Sequence, residues 1–355
     1  MRIAVGLSGG VDSSVALQLL QQQGHDCTAF YMKNWDEHDP LCPSAVDSAD
    51  ARLVAEKLGV PFYTLDLSSA YRERVFRQFI AYNQRGITPN PDIWCNEYIK
   101  FAAFWDAVQA LGDYTHIATG HYARVRETPQ GHALCTPTDA QKDQTYFLYR
   151  LSQKQLSRAL FPLAELTKPE VRHLAETTGL LTAEKKDSTG ICFIGKRHYR
   201  DFIAEHLDTA QILPGPLQDL RTGQAVGTHT GLPYYTLGQR KNLLIGGLSA
   251  FRELPWFVVR KDFASNTLLV SQYEEDLLER RVTATELHWI QAPPMVGQRY
   301  TAKIRYRSDA VPCTVISLSA EQLVLEFTKP VRSPTPGQAV VLYDGPCVVG
   351  GGEIA

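Results

Sequence analysis

The 355-residue chain carries 36 Lys plus Arg against 38 Asp plus Glu, a formal net charge of -2, and 44% of its residues are hydrophobic. That composition fits a globular chain with two or three cores. It excludes a membrane-spanning apolar run and an overall basic chain, so a nucleic-acid surface has to be local. The N-terminus starts in a strand and lacks the pattern of a secretory signal, so a cytoplasmic protein is expected.

Arg2 to Leu7 reads as a buried strand running into Ser8-Gly9-Gly10-Val11-Asp12-Ser13, and an amphipathic segment from Ser14 to Gln23 follows, with Gly24 as its C-cap. Strand, glycine loop and helix make an anion site: the glycines let backbone approach a phosphate, and the helix start offers unbonded N–H groups. Ser8 and Ser13 add hydroxyl donors, and Asp12 is a candidate magnesium ligand. No Gly-Lys-Ser/Thr closes the loop, so it is not a Walker A, and its adjacent glycines do not match the dinucleotide fingerprint.

Asp26 to Met32 reads as a second buried strand, a helix is expected near Ala45 to Leu58, and Phe62 to Leu67 and Thr115 to Thr119 read as further strands. This alternation predicts an α/β fold with a doubly wound parallel sheet. Ligands of such sheets sit at the carboxyl ends of the strands, which places the loop, Met32 and Gly120 at one edge. A long helix from Tyr71 to Gln84 is followed by a proline-stiffened segment, Thr88-Pro89-Asn90-Pro91-Asp92, that displays Cys95 near the start of a helix expected over Asn96 to Leu111. Cys95 has two readings, a thiolate stabilised by the helix N-terminus or a buried inert thiol beside Trp94.

Asp143 to Arg150 reads as a short aromatic helix, and Lys168 to Thr178 as a capped helix ending at Gly179. The loop from Lys185 to Gly195 then sets Cys192 beside cations and has the length and charge of a mobile functional loop, so that Cys192 has two readings, an activated thiol or an inert one. Beyond Pro214-Gly215-Pro216 the pattern turns to short strands. A hairpin spans Pro255 to Ser271, and six or so strands from Val282 onward form a small antiparallel barrel or sandwich. The seven cysteines are odd in number and contain no C-x-x-C pair, which favours thiols over structural disulfides and gives a zinc site no support. Two basic patches stand out: Lys185, Lys186, Lys196, Arg197 and Arg200, and the run Arg299, Lys303, Arg305 and Arg307. The second has one parity, so on a strand it would form a phosphate track or a solvated charged face.

The Ser8 to Ser13 loop resembles the PP-loop of ATP pyrophosphatases, which cleave ATP to AMP and pyrophosphate. Taken in order with Thr88-Pro89-Asn90-Pro91-Asp92, Cys95-Asn96, Ala118 to Tyr122, Lys142-Asp143-Gln144, Asp187 to Gly195, Tyr235 to Arg240 and Thr335 to Gln338, it makes nearly the whole chain similar to the tRNA-specific 2-thiouridylases. The resemblance implies a PP-loop catalytic domain (1–197), a small central domain (198–275) and a C-terminal β-barrel (276–355) that contacts tRNA. It implies ATP and magnesium as cofactors, tRNA as substrate, a cysteine desulfurase or sulfur-relay protein as sulfur donor, and a monomer. By matching motif, Gly6, Leu7, Ser8, Gly9, Gly10, Val11, Asp12, Ser13, Met32 and Gly120 would contact ATP, and Asn90, Pro91 and Asp92 the target base. Lys142, Asp143, Gln144, His121, Arg305, Tyr306 and Gln338 would touch tRNA.

The implied reaction replaces O2 of the wobble uridine by sulfur after ATP has adenylated that oxygen. Cys192 would carry the sulfur as a persulfide and Cys95 would be the nucleophile, the two ending as a transient disulfide; sulfur is either released before it reaches C2 or attacks C2 directly. Asp92 is a candidate acid or base, or a turn-capping aspartate. Trp94 and Glu97-Tyr98 depart from the family pattern. Two other readings use the same loop: a PP-loop amide-forming synthetase, and a non-catalytic protein that binds ATP and tRNA.

Overall fold

The computed structural model describes residues 1–35, 44–186, 199–207, 212–245 and 254–355. Cys192 and the other members of the 187–198 segment lie outside the described residues, as does Cys42.

In the first sheet β1 (Arg2–Gly6), β2 (Asp26–Lys33) and β3 (Phe62–Asp66) pair in parallel, as do β1 with β4 (His116–Ala118) and β4 with β7 (Ala159–Leu160), in the order β3-β2-β1-β4-β7. The sheet is built around β1 and β2, buried on both faces, with β3 as an exposed edge. Alternation along β1 and β2 feeds two cores. Ile3, Val5, Ala29 and Tyr31 pack with helices α1 (Val11–Gln22) and α2 (Ser44–Leu58), whereas Ala4 and Phe30 pack on the opposite side with two long helices. Those helices, α3 (68–84) and α4 (91–109), are continuous but widen into π geometry at Arg72–Phe76 and Cys95–Ala103. The helix expected from Asn96 therefore starts five residues earlier, because Pro91 is compatible with a first helical turn and Asn90 precedes it as N-cap.

A hairpin of β5 (Arg124–Thr128) and β6 (Gly131–Cys135) leaves this sheet, and α5 (Lys168–Thr177) and α6 (Tyr199–His206) follow. Between them, the helix expected over Asp143 to Arg150 is limited to a 3-10 turn at Thr145–Phe147, where Asp143 accepts the Thr145 amide and hydroxyl and so favours a turn. A small mixed sheet comes next, β10 (Phe257–Asp262), β11 (Thr267–Ser271), β8 (Gly215–Asp219) and β9 (Ala225–His229), with β11 and β8 parallel.

Six strands, β12 (Leu278–Trp289), β13 (Arg299–Lys303), β14 (Val311–Leu318), β15 (Leu323–Arg332), β16 (Ala339–Asp344) and β17 (Cys347–Ile354), then close into an antiparallel barrel through the β12–β17 pairing. Small and branched inward residues such as Ala284, Ala302, Val315 and Leu325 fill it.

Two expectations are corrected here. Cys135 on β6 faces Cys347 on β17 in register and forms a disulfide with it, stitching the hairpin to the barrel; the 212-residue separation hid that pairing. The basic run is not one face of a strand: β13 ends at Lys303, so Arg305 and Arg307 lie in the turn beyond it. Lys303 is paired with buried Asp143 at 2.8 Å, and Arg305 donates to Leu237 O, Ser333 O and Thr335 Oγ1 at 2.8 to 2.9 Å. The other basic patch is likewise partly committed, since Lys185 is paired with Asp47 and Asp50 and Arg200 lies over the rings of Tyr234 and Tyr235.

Candidate active site

The Ser8–Ser13 loop leaves the carboxyl end of β1 at the centre of the parallel sheet. Gly9 takes φ +72°, and a Cβ there would come 2.3 Å from Asp47 O, so only glycine suits this turn. Ser13 Oγ accepts from the Ser8 amide at 3.1 Å, and Ser14 Oγ donates to Gly10 O at 2.8 Å. Among the described residues the amides of Gly9, Gly10 and Val11 donate to no acceptor, and they lie at the N-terminal end of α1. A phosphate fits this cradle by charge and by hydrogen-bonding capacity. Met32, at the end of β2, rests its Cε against Gly6, and Gly120 lies so close to the loop that a Cβ there would come 2.5 Å from Ser13 N. The loop, Met32 and Gly120 thus share one edge, as the strand pattern implied.

The loop lacks a lysine in its own sequence, and the fold supplies one from 156 residues away. Lys168, the first residue of α5, places Nζ 2.7 and 2.8 Å from the two carboxylate oxygens of Asp12, and Tyr122 donates its hydroxyl to Oδ1 at 2.9 Å. A lysine at a helix start opposes the helix dipole and calls for an anion nearby, a local signal in Thr167-Lys168-Pro169-Glu170 that sequence reading passed over. Both Asp12 oxygens are engaged by the Lys168 ammonium group, so Asp12 could serve as a magnesium ligand only once that lysine has moved away.

From Gly120 the chain continues into His121, whose Nδ1 is 2.8 Å from Thr119 Oγ1 and whose Nε2 is 3.5 Å from Lys100 Nζ. Burial, reinforced by that lysine, holds the imidazole pKa well below its ordinary value, so the ring is neutral at physiological pH. Lys100 is on α4, the helix that begins with Pro91 and carries Asp92, Cys95 and Asn96. Burial raises the Asp92 carboxyl above the usual range, and Lys100 acts in the opposite direction. Cys95 is buried at the point where the π stretch begins, with Asn96 donating to Phe147 O at 3.2 Å and Glu97 paired with Arg150 at 2.6 Å. The departure at Glu97 is thereby matched by a cation.

The segment before α4 is held from two other sheets. Gln338 Nε2 donates to Thr88 O at 2.9 Å and Pro89 O at 3.2 Å, and the Thr88 amide donates to Pro336 O at 3.2 Å. Lys261 on β10 donates to Gly86 O at 2.9 Å, with Phe263 covering that glycine. Trp94 packs edge-on to Tyr82, whose hydroxyl donates to Glu353 on β17 at 2.9 Å.

The remaining expected tRNA residues are divided. Asp143 is 5% exposed and saturated by Thr145 and Lys303; Gln144 Oε1 accepts the Tyr122 amide at 2.9 Å. Lys142 and Tyr306 are half-buried, and Tyr306 packs against Phe147 at 4.4 Å. Arg305 turns inward, as described above. Cys192, the partner expected for Cys95, is outside the described residues.

Three family descriptions cover the chain in succession: "tRNA methyl transferase HUP domain" over residues 1–196, "tRNA methyl transferase PRC-barrel domain" over 200–272 and "Aminomethyltransferase beta-barrel domain" over 279–354. The tRNA-specific 2-thiouridylases MnmA of Yersinia pestis (strain Pestoides F) and Yersinia pseudotuberculosis serotype O:1b (strain IP 31758) are each 48% identical over 360 residues, spanning 99% of this chain and 95% of theirs. The chain belongs to the tRNA-specific 2-thiouridylase family. Solved structures similar to this thiouridylase-family chain include the U34-tRNA thiolase NcsA of Methanococcus maripaludis with its [4Fe-4S] cluster, 15% identical with TM-score 0.32 over 57% of this chain and 63% of that one. Another is a 4-thiouridine synthetase in complex with RNA and bound ATP, 15% identical with TM-score 0.34 over 57% of this chain and 48% of that one.

Proposed function

We propose that this protein is an ATP-dependent tRNA sulfurtransferase that converts the wobble uridine of tRNA to 2-thiouridine. The observation that carries the reading is the Gly120-His121 step. Gly120 abuts the phosphate loop and His121 meets Lys100 on the helix of Asp92 and Cys95, so a nucleotide phosphate and a base at Asn90 to Asp92 would meet at one place.

In the proposed reaction the loop amides and Ser8, Ser13 and Lys168 hold the triphosphate, with Lys168 moving from Asp12 to phosphate oxygen as ATP enters. Uracil O2 forms a bond to the α-phosphorus while the bond to the β-phosphate oxygen breaks, and pyrophosphate departs with the electron pair. Cys95 thiolate then attacks the Cys192 sulfur of a Cys192 persulfide. A Cys95–Cys192 disulfide forms, and the terminal sulfur leaves with the electron pair of the broken S–S bond. That sulfur adds to C2, the C2–O bond breaks and AMP leaves. Closing this disulfide needs Cα atoms within about 7 Å, so residue 192 has to reach α4. Lys142, Tyr306 and the side-chain amide oxygen of Gln338 are assigned to tRNA, and a cysteine desulfurase or sulfur-relay protein to persulfide supply. The enzyme would act as a monomer in the cytoplasm; among the described residues no helix is long and apolar enough to cross a membrane.

The test is a single turnover on unmodified tRNA with a persulfide-loaded protein, followed by peptide mapping without reductant. Equal yields of AMP and a Cys95–Cys192 cross-link are expected. AMP without a cross-link would remove the two-cysteine step, and AMP formed equally well without tRNA would favour a small-molecule synthetase.

A further inference from the structure

Several cations near the site are neutralised within the chain. Lys168 is paired with Asp12, Lys185 with Asp47 and Asp50, Lys303 with Asp143 and Arg150 with Glu97. Lys100 is different. Among the described residues it has no carboxylate within ion-pair distance, and its polar neighbour is the His121 Nε2 at 3.5 Å. It is half-buried, so its charge is only partly solvated. Its stem follows Cys95 by five residues, one turn of the π stretch, and it acts electrostatically on both Asp92 and His121. A half-buried ammonium group beside an uncharged imidazole, with no carboxylate of the described residues within ion-pair distance, is suited to binding an anion.

We infer that Lys100 is a catalytic residue that binds the oxygen atoms of the α-phosphate while the base oxygen attacks it. Two directions converge on that position. His121 joins Lys100 to Gly120 and through it to the phosphate loop, and the continuous helix α4 joins Lys100 to the Asn90 to Asp92 segment at its start. The α-phosphorus is the atom that is shared between nucleotide and base, and it gathers negative charge as its bond to O2 forms and its bond to the β-phosphate oxygen breaks. Lys100 makes and breaks no covalent bond. It lowers the barrier by being fixed beside that charge before the charge develops, with the helix and the His121 contact limiting its reorganisation. The imidazole of His121 lies beside it without neutralising it.

The inference rests on the thiouridylase reading and is tested separately from it with Lys100→Met, which keeps the length of the side chain, and Lys100→Arg, which keeps the charge. Wild-type protein forming AMP only with tRNA is the control for the reading. Lys100→Met is expected to slow that AMP formation at saturating ATP and tRNA by about 100-fold or more, the usual effect of removing one preorganised electrostatic group. Binding of ATP alone and of tRNA alone should change by less than about threefold, a split expected of an interaction made in the transition state. Lys100→Arg should recover most of the rate. The inference is overturned if Lys100→Met keeps a rate within about tenfold of wild type, less than this class of group supplies, or if Lys100→Arg falls as far as Lys100→Met, which would assign the position to packing. Absence of tRNA-dependent AMP from the wild type would remove the reading and the inference together.

Discussion

The phosphate loop and the Asn90 segment sit at the same edge of the molecule but are held in place in opposite ways. The loop is shaped by its own short-range bonds, Ser8 to Ser13 and Ser14 to Gly10, within a strand and helix that are neighbours in sequence. The Asn90 segment borrows its shape: Gln338 and Pro336 hold Thr88 and Pro89 from the barrel side, and Lys261 and Phe263 hold Gly86 from the small sheet. The backbone of the nucleotide loop is set by bonds within the loop, with Lys168 and Tyr122 reaching its Asp12 from other elements of the same sheet region, whereas the base-side segment has its geometry set by the two units that follow that sheet. If RNA docks against those units, it would act directly on where Asp92 and Cys95 lie.

The largest expected effect belongs to the base side. Cys95→Ala should reduce thiolation by at least about 1,000-fold, as loss of a nucleophile does, while ATP affinity measured by calorimetry stays near wild type. A parallel loss of ATP binding would join the two regions and break the comparison. Next comes the loop side: Lys168→Met should weaken ATP binding by about 10- to 100-fold, the worth of one charge-assisted contact to phosphate. An unchanged ATP affinity would leave Lys168 as a structural partner of Asp12.

Gln338→Ala sharpens the distinction. If the amide acts by holding Thr88 and Pro89, the turnover of bound tRNA should fall by about tenfold through misplacement of the segment, with a smaller change in tRNA affinity. A loss confined to affinity would mean that Gln338 serves the RNA alone. The smallest effect is a pH dependence at Lys261. Burial lowers this lysine to about 8 from an ordinary 10.5, so between those values the unfolded chain binds more protons than the folded one. Folding stability contributed by this group then rises with pH across that window and is lost as pH falls through 8. Thermal melts of wild type and Lys261→Met should accordingly shift in favour of wild type from pH 8 to 10; a constant difference would show that Lys261 is solvated.

Legibility in the sequence follows the same division. Ser8 to Ser13, the alternating burial of β1 and β2 and the six barrel strands depend on near neighbours and on hydrophobic period, and each could be read from the chain. The start of α4 was misread because Pro91 looks like a breaker until it is placed in a first turn. Lys168 on Asp12, Cys135 with Cys347, and the grip of Gln338 and Lys261 on the Gly86 to Pro89 backbone join residues that are 156, 212, 250 and 175 positions apart, distances over which no periodicity carries information. Arg305 shows the cost of reading parity alone: it lies beyond the strand, and one nitrogen of its half-buried guanidinium donates to two carbonyls and a hydroxyl of the protein.

The most direct test of the account is mass spectrometry of nucleosides from unmodified tRNA incubated with the protein, ATP, magnesium and a persulfide donor. The account predicts 2-thiouridine at the wobble position, formed with ATP and absent when ATP is omitted or when Cys95 is replaced by alanine. Unmodified uridine throughout, with the donor shown to load Cys192 and with ATP left intact, would contradict it.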